Sequence, residues 1–142
     1  MEWERDEFCI SDDPTRLELD FIVESLQSTY WAGGRPRETI EQSIRNSLCF
    51  GLYEHDRQVG FARVVTDACT ISWICDVIIA SAYRGRGLGT WLVQCVTEHP
   101  VVKSTTQLLG TRDAHGLYEK FGFVRREMMI KYRRRAAISD EP

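Results

Sequence analysis

A chain of 142 residues with 43% apolar and 11% aromatic content has length for one sizeable core and too little for two, so a single domain over 1–132 is expected. The net charge of −3 speaks against a nucleic-acid partner, and no apolar run approaches the roughly 20 residues of a membrane-spanning helix. The opening Met1-Glu-Trp-Glu-Arg-Asp-Glu7 is charged where a secretory signal is apolar, and Cys9, Cys49, Cys69, Cys75 and Cys95 include no Cys-x-x-Cys pair, so the expectation is a cytoplasmic protein with reduced thiols and no metal.

Phe8–Ser11 reads as a short strand, followed by a helix that Asp13 or Asp20 caps and that reaches Gln27. The segment Ser28 to Pro36 mixes glycines with Tyr30 and Trp31 and reads as a mobile aromatic loop, after which Ile40, Ile44 and Leu48 predict a second helix over Arg37–Ser47. Leu48–Tyr53 and Val59–Thr66 are β-rich runs joined by a polar hairpin turn. From Thr70 to Ile79, apolar residues fill every odd position and several even ones, the pattern of a central strand covered on both faces. Leu88, Trp91, Leu92, Cys95 and Val96 then mark an amphipathic helix ending before Pro100. Thr105–Thr111 is a further strand. Asp113 is a candidate N-cap for a helix whose buried stripe is Ala114, Leu117, Tyr118 and Phe121 and which Gly122 closes, and Phe123–Tyr132 completes the sheet. The run Arg133 to Arg135 and the residues to Pro142 read as a solvated, disordered tail over 133–142.

The most informative stretch is Arg84-Gly85-Arg86-Gly87-Leu88-Gly89-Thr90, at a strand-to-helix junction. Small residues there let unpaired N–H groups at the helix start approach an anion, and two arginines add full positive charge suited to a pyrophosphate. The spelling is not that of a dinucleotide fingerprint, because the last glycine of Gly-x-Gly-x-x-Gly falls on Thr90 or Leu92, and no Gly-Lys-Ser/Thr of a nucleotide-triphosphate loop is present.

Arg84-x-x-Gly87-x-Gly89 after an apolar strand resembles the coenzyme A pyrophosphate motif of the GNAT superfamily of N-acetyltransferases. Ala114-His-Gly-Leu-Tyr118-Glu-Lys-Phe-Gly-Phe123 is similar to that superfamily's late helix, and the order of elements resembles its fold along nearly the whole chain. The resemblance implies an α/β (α+β) architecture with a mixed, mostly antiparallel sheet of six to seven strands flanked by about four helices. It implies acetyl-CoA as co-substrate, gripped by Arg84, Gly85, Arg86, Gly87, Leu88, Gly89 and Thr90. Strand Val77-Ile78-Ile79 would splay from its neighbour, leaving the backbone of Val77 and Ile79 to pair with the pantetheine arm and a backbone N–H such as that of Val77 to serve as oxyanion donor. The acetyl group would pass by direct attack to a primary amine of a small molecule, peptide or protein.

Tyr118 in this resemblance is the general acid for the departing thiolate, although its place on an apolar stripe equally suits a core aromatic. Asp76, a carboxylate inside Trp73-Ile-Cys-Asp-Val-Ile-Ile79, is read two ways: as a general base whose pKa burial raises, on the face opposite Cys75 and Val77, or as a structural hydrogen-bonding group. His115 is the second candidate base, while His55 belongs to a hairpin and His99 to a helix end. Thr111 stands where relatives often carry Asn. Tyr30, Trp31 and Arg35 are candidate acceptor contacts suited to an amine that also bears an acid or a ring, and the aromatic pair also suits core packing. A coenzyme A-binding or partner-binding module without catalysis is the competing reading, and open sheet edges make a homodimer an expectation.

Overall fold

The computed structural model describes residues 1–133. Six strands lie side by side in chain order: β1 (Glu2–Arg5), β2 (Phe8–Ser11), β3 (Leu48–Glu54), β4 (Arg57–Thr66), β5 (Ile71–Ile79) and β6 (Thr106–Leu108). Neighbours are antiparallel except β5 and β6, which are parallel. Five helices accompany them: α1 (Leu19–Gln27), α2 (Arg37–Arg45), α3 (Leu88–Glu98), α4 (Pro100–Lys103) and α5 (His115–Glu119). One more helix than expected arises at Pro100, whose fixed φ opens a fresh turn while His99 Nδ1 accepts the Val101 N–H at 3.1 Å.

The sheet departs from the sequence reading at both ends of the chain. β1 was not expected, because only Trp3 of Glu2-Trp-Glu-Arg5 is apolar; that one side chain packs on the core while the rest form a charged sheet edge. Phe123–Tyr132 does not join the ladder. Its charges (Arg125, Arg126, Glu127) and its apolar residues (Met128, Met129, Ile130) come in blocks, so no alternating apolar face exists to hold against a sheet, and Met129 is 98% exposed. The expected tail from Arg134 onward lies outside the described residues.

Two capping assignments also change. Glu18 rather than Asp13 or Asp20 precedes α1, and Asp13 instead accepts the Thr15 N–H of a short 3₁₀ turn at Pro14–Arg16. Asp113 is not the cap of α5; Ala114 precedes the helix, and its N–H donates to the Thr111 hydroxyl at 3.0 Å.

Alternation in the strands sends Phe8, Ile10, Phe50, Leu52, Val64 and Ile74 to one face, where Leu88, Trp91, Leu92, Cys95 and Val96 of α3 cover them. The opposite face carries Cys49, Phe61 and Ile78 against Ile22, Val23 and Leu26 of α1 and Ile40 of α2. Ile74 and Ile78 sit four positions apart and would share a face in a regular strand, yet they lie on opposite ones. The cause is one extra residue. β4 and β5 pair Phe61 with Ile78 and Arg63 with Cys75, so Ala62 is opposed by both Asp76 and Val77. Asp76 adopts φ 54°, in the left-handed region, and this bulge inverts every side chain beyond it.

Candidate active site

Beyond β5 a 3₁₀ turn over Ser81–Tyr83 leads into the glycine stretch. Gly85 and Gly87 have φ of 81° and 77°, where any side chain is strained, and a Cβ added to either meets nothing within 4 Å. Backbone conformation therefore demands glycine there, and the surface above is open. Gly87 is the N-cap of the 11-residue α3 and brings no capping side chain. The Trp91 N–H returns to the Gly87 carbonyl at 3.1 Å, while those of Leu88, Gly89 and Thr90 find no partner among the described residues. Arg84 Nε donates to the Ile79 carbonyl at 3.0 Å, and Arg86 lies over the Tyr83 ring at 5.2 Å. Free N–H groups at the positive end of a helix, flanked by two exposed guanidiniums, fit a pyrophosphate.

The gap alongside β5 comes from a short ladder. β6 pairs with β5 only at Ile71–Thr106, Ser72–Gln107 and Trp73–Leu108. Past Trp73 the edge of β5 that faced β6 has no strand beside it among the described residues, and Gly89 of the α3 cradle lies against Ile79 at the far end of that edge.

Tyr118 of α5 lines a cavity of about 740 Å³ together with Trp73, Thr111 and His115. Its ring meets Phe123 edge-on at 5.9 Å. Burial, with Asp113 and Tyr30 nearby, raises the pKa of the phenol, and no hydrogen bond ties its hydroxyl to another described side chain. The group therefore keeps its proton at neutral pH. His55 sits in the β3–β4 turn, and buried His99 hydrogen-bonds Asp12 at 2.8 Å; neither borders this cavity.

Asp76 departs from the general-base expectation and matches the other one, a structural hydrogen-bonding group. Its side chain is 2% exposed, and Oδ2 receives both Arg35 Nη1 and Arg63 Nε at 2.8 Å. Trp31 Nε1 donates to Oδ1 at 3.3 Å. Burial pushes the carboxyl pKa up, but the two guanidiniums outweigh it and hold the value below the ordinary carboxylate range, so the expected upward shift is reversed. The bulge also overturns half of the expected facing: Cys75, paired with Arg63, and Asp76, bonded to Arg63, point to the same side of the sheet, while Val77 packs on the opposite face as expected. A pKa lower in the folded than in the unfolded chain stabilises above the unfolded value of about 3.9 and loses that contribution as pH falls through the folded one. The urea midpoint should accordingly be flat above about pH 5 and drop in more acidic buffer; a midpoint that climbed between pH 5 and pH 3 would contradict the ion-paired state.

Trp31 and Arg35 meet at a second cavity of about 490 Å³, lined also by Thr39, Ser43, Arg63 and Lys131. Trp31 additionally packs on the α1–α2 core, so it serves packing and cavity at once. Tyr30 turns elsewhere: Arg112 stacks on its ring at 3.7 Å, joining the α1–α2 loop to the segment before α5. The sequence reading passed over Arg63, for which a signal existed: one arginine within the apolar Val59–Val65, in the run preceding the one that carries the lone Asp76. The thiols of buried Cys49 and Cys95 and of half-buried Cys75 have pKa values pushed up to about 12, 11 and 11 respectively by desolvation, which leaves them protonated and poorly nucleophilic.

Comparison with known proteins agrees with this geometry. Residues 45–125 match the Acetyltransferase (GNAT) domain. A Gibberella zeae protein described as a candidate acetyltransferase is 33% identical across 68% of this chain and 66% of its own, so this chain spans just under two thirds of that relative. A crystal structure of a candidate GNAT-family acetyltransferase from Xanthomonas campestris pv. campestris superposes with a TM-score of 0.84 at 35% identity, covering 88% of this chain and 92% of that one. A GNAT-family acetyltransferase from Elizabethkingia anophelis, solved with acetyl-CoA bound, shares the fold at a TM-score of 0.67 and 16% identity, over 87% of this chain and 80% of that one. With its sheet, its glycine cradle and these relatives in agreement, the chain belongs to the GNAT acetyltransferase family.

Proposed function

We propose that the protein transfers the acetyl group of acetyl-CoA to a primary amine by direct attack. Two features at the end of β5 carry this reading: past Trp73 no described strand covers its outer edge, and at the start of α3, where Gly89 lies against Ile79, the N–H groups of Leu88, Gly89 and Thr90 have no partner among the described residues. An elongated ligand with a pyrophosphate at one end and amide groups along its arm matches both. Gly85 and Gly87 leave the cradle uncovered, Arg84 and Arg86 neutralise the phosphates, and the backbone of Val77 and Ile79 pairs with the arm. Acetyl-CoA bound there supplies an activated thioester; that ligand is held in the Elizabethkingia relative.

Each protein group then has one task. The Val77 N–H donates to the oxygen on which negative charge grows, and Tyr118, kept protonated by its surroundings, gives its proton to the departing sulfur. Asp76 does not take the amine's proton in this scheme, because three donors already occupy its carboxylate. It positions Trp31 and Arg35 at the acceptor side, and the amine loses its proton to water or to His115, which lines the cavity with Tyr118.

A panel of primary amines tests the reading, with coenzyme A release followed chromatographically so that exposed Cys69 does not consume a thiol reagent. At least one amine should give multiple turnovers and an N-acetylated product of the expected mass. Tight acetyl-CoA binding with no turnover on any small-molecule or peptide amine would favour a coenzyme A-binding module instead.

A further inference from the structure

We infer that the acceptor carries an anionic group, a carboxylate or a phosphate, beside its amine, and that Arg35, Arg63 and Lys131 hold that group; as a statement about an acceptor, this rests on the acetyl-transfer reading. The charge count around Asp76 is the starting point. Arg35 and Arg63 are 14% and 15% exposed and share a single oxygen of one carboxylate that is 2% exposed. Among the described residues no other carboxylate lies within ion-pair distance of either arginine. The cluster is thus two positive charges against one negative, and an excess charge held out of water costs several kcal/mol unless a partner offsets it. Stability alone gives no reason for the second arginine, because one guanidinium already neutralises Asp76. A ligand that arrives with the missing charge does give one.

The surroundings fit that ligand. Arg63 spends Nε on Asp76 and Nη1 on the Ser47 hydroxyl at 3.1 Å, and Arg35 spends one Nη1 bond on Asp76, so each fork keeps further N–H donors. These arginines share the wall of the 490 Å³ cavity with Lys131, Arg133 and the hydroxyl-bearing Thr39 and Ser43, and no Asp or Glu lines it among the described residues. Carboxylates and phosphates are the groups a guanidinium fork binds through two parallel bonds. Position completes the match. Asp76, which holds both arginines, immediately precedes Val77 at the bulge, so the cluster is anchored on the segment of β5 assigned to the acetyl-transfer step. Trp31, on the same wall, offers a flat face for the carbon skeleton between anion and amine.

The test separates the anion site from the chemistry. With coenzyme A saturating the Arg84–Thr90 turn, so that a free anion cannot bind there, inorganic phosphate and succinate are titrated into wild type, Arg35→Gln and Lys131→Gln, with melting temperature and calorimetric heat as readouts. Arg35→Gln leaves Asp76 paired with Arg63 and should fold; exposed Lys131→Gln provides a second variant that leaves the buried cluster intact. Both anions should stabilise wild type, Lys131→Gln more weakly, and Arg35→Gln hardly at all. In parallel, kcat/KM is compared for phosphoethanolamine against ethanolamine and for phenylalanine against phenethylamine. At least one charged member should be favoured by about tenfold or more, mainly through KM, and Arg35→Gln should bring that ratio close to one. Uncharged members used as well as charged ones, or an anion response unchanged in both variants, would overturn the inference while leaving acetyl transfer standing. Anion binding that Arg35→Gln abolishes, without turnover of any amine, would uphold the site and remove the acetyl-transfer reading.

Discussion

Replacing Tyr118 by Phe should lower kcat by about a hundredfold or more, the usual contribution of a positioned general acid, while KM for acetyl-CoA and the melting temperature stay close to wild type. The selectivity of that effect follows from the surroundings of the ring. Its edge-on contact with Phe123 involves carbon atoms that the variant retains, and no described partner is left unsatisfied when the hydroxyl goes. Burial raises the phenol's pKa, so the wild-type group is fully protonated at neutral pH and ready to donate. Single-turnover measurements isolate the chemical step from product release. An unchanged single-turnover rate would return Tyr118 to a packing role, and a large fall in melting temperature would mean that the hydroxyl has a structural partner.

Asp76→Asn should be the most destabilising single change near the site, at about 3–5 kcal/mol, because it strips the counter-charge from two largely buried guanidiniums. The backbone gives no second cause: Asn tolerates the left-handed φ of 54° as readily as Asp does. Adding Arg35→Gln to Asp76→Asn brings the cluster back to one excess positive charge, the wild-type count, so the double variant should recover part of the loss. Urea unfolding of the two single variants and the double one measures that coupling directly. A loss below about 1 kcal/mol for Asp76→Asn, or strictly additive effects, would contradict the ion-pair cluster described here.

The glycine turn was legible because its constraint is local: positive φ at Gly85 and Gly87 and bare N–H groups at a helix start are written directly into residue type. The amphipathic stripe of α3 was legible for the same reason, as five apolar residues at helical spacing identify one buried face. The bulge at Asp76 was not. A strand buried on both faces is apolar at nearly every position, so one inserted residue leaves no break in the pattern, and only pairing with β4 reveals it. That hidden residue is also why Asp76 was expected opposite Cys75, and its general-base reading with a raised pKa failed because the arginines that set its charge come from a loop 41 residues and a strand 13 residues earlier. Phe123–Tyr132 misled in the opposite sense, since its composition suits a strand but its apolar residues come in a block rather than alternating.

Titration of acetyl-CoA into wild type and Gly87→Asp by calorimetry bears most directly on the central claim, that the turn before α3 holds the coenzyme's pyrophosphate. The substitution puts a carboxylate where two phosphates should lie and a side chain at a φ of 77°, while a Cβ there touches nothing within 4 Å, so the fold should survive with a modest loss of stability. Wild type should bind acetyl-CoA with an affinity that weakens as salt screens the phosphates, and a folded Gly87→Asp protein should give no measurable heat of binding. Equal affinity in the two proteins, with each shown to be folded, would contradict the account.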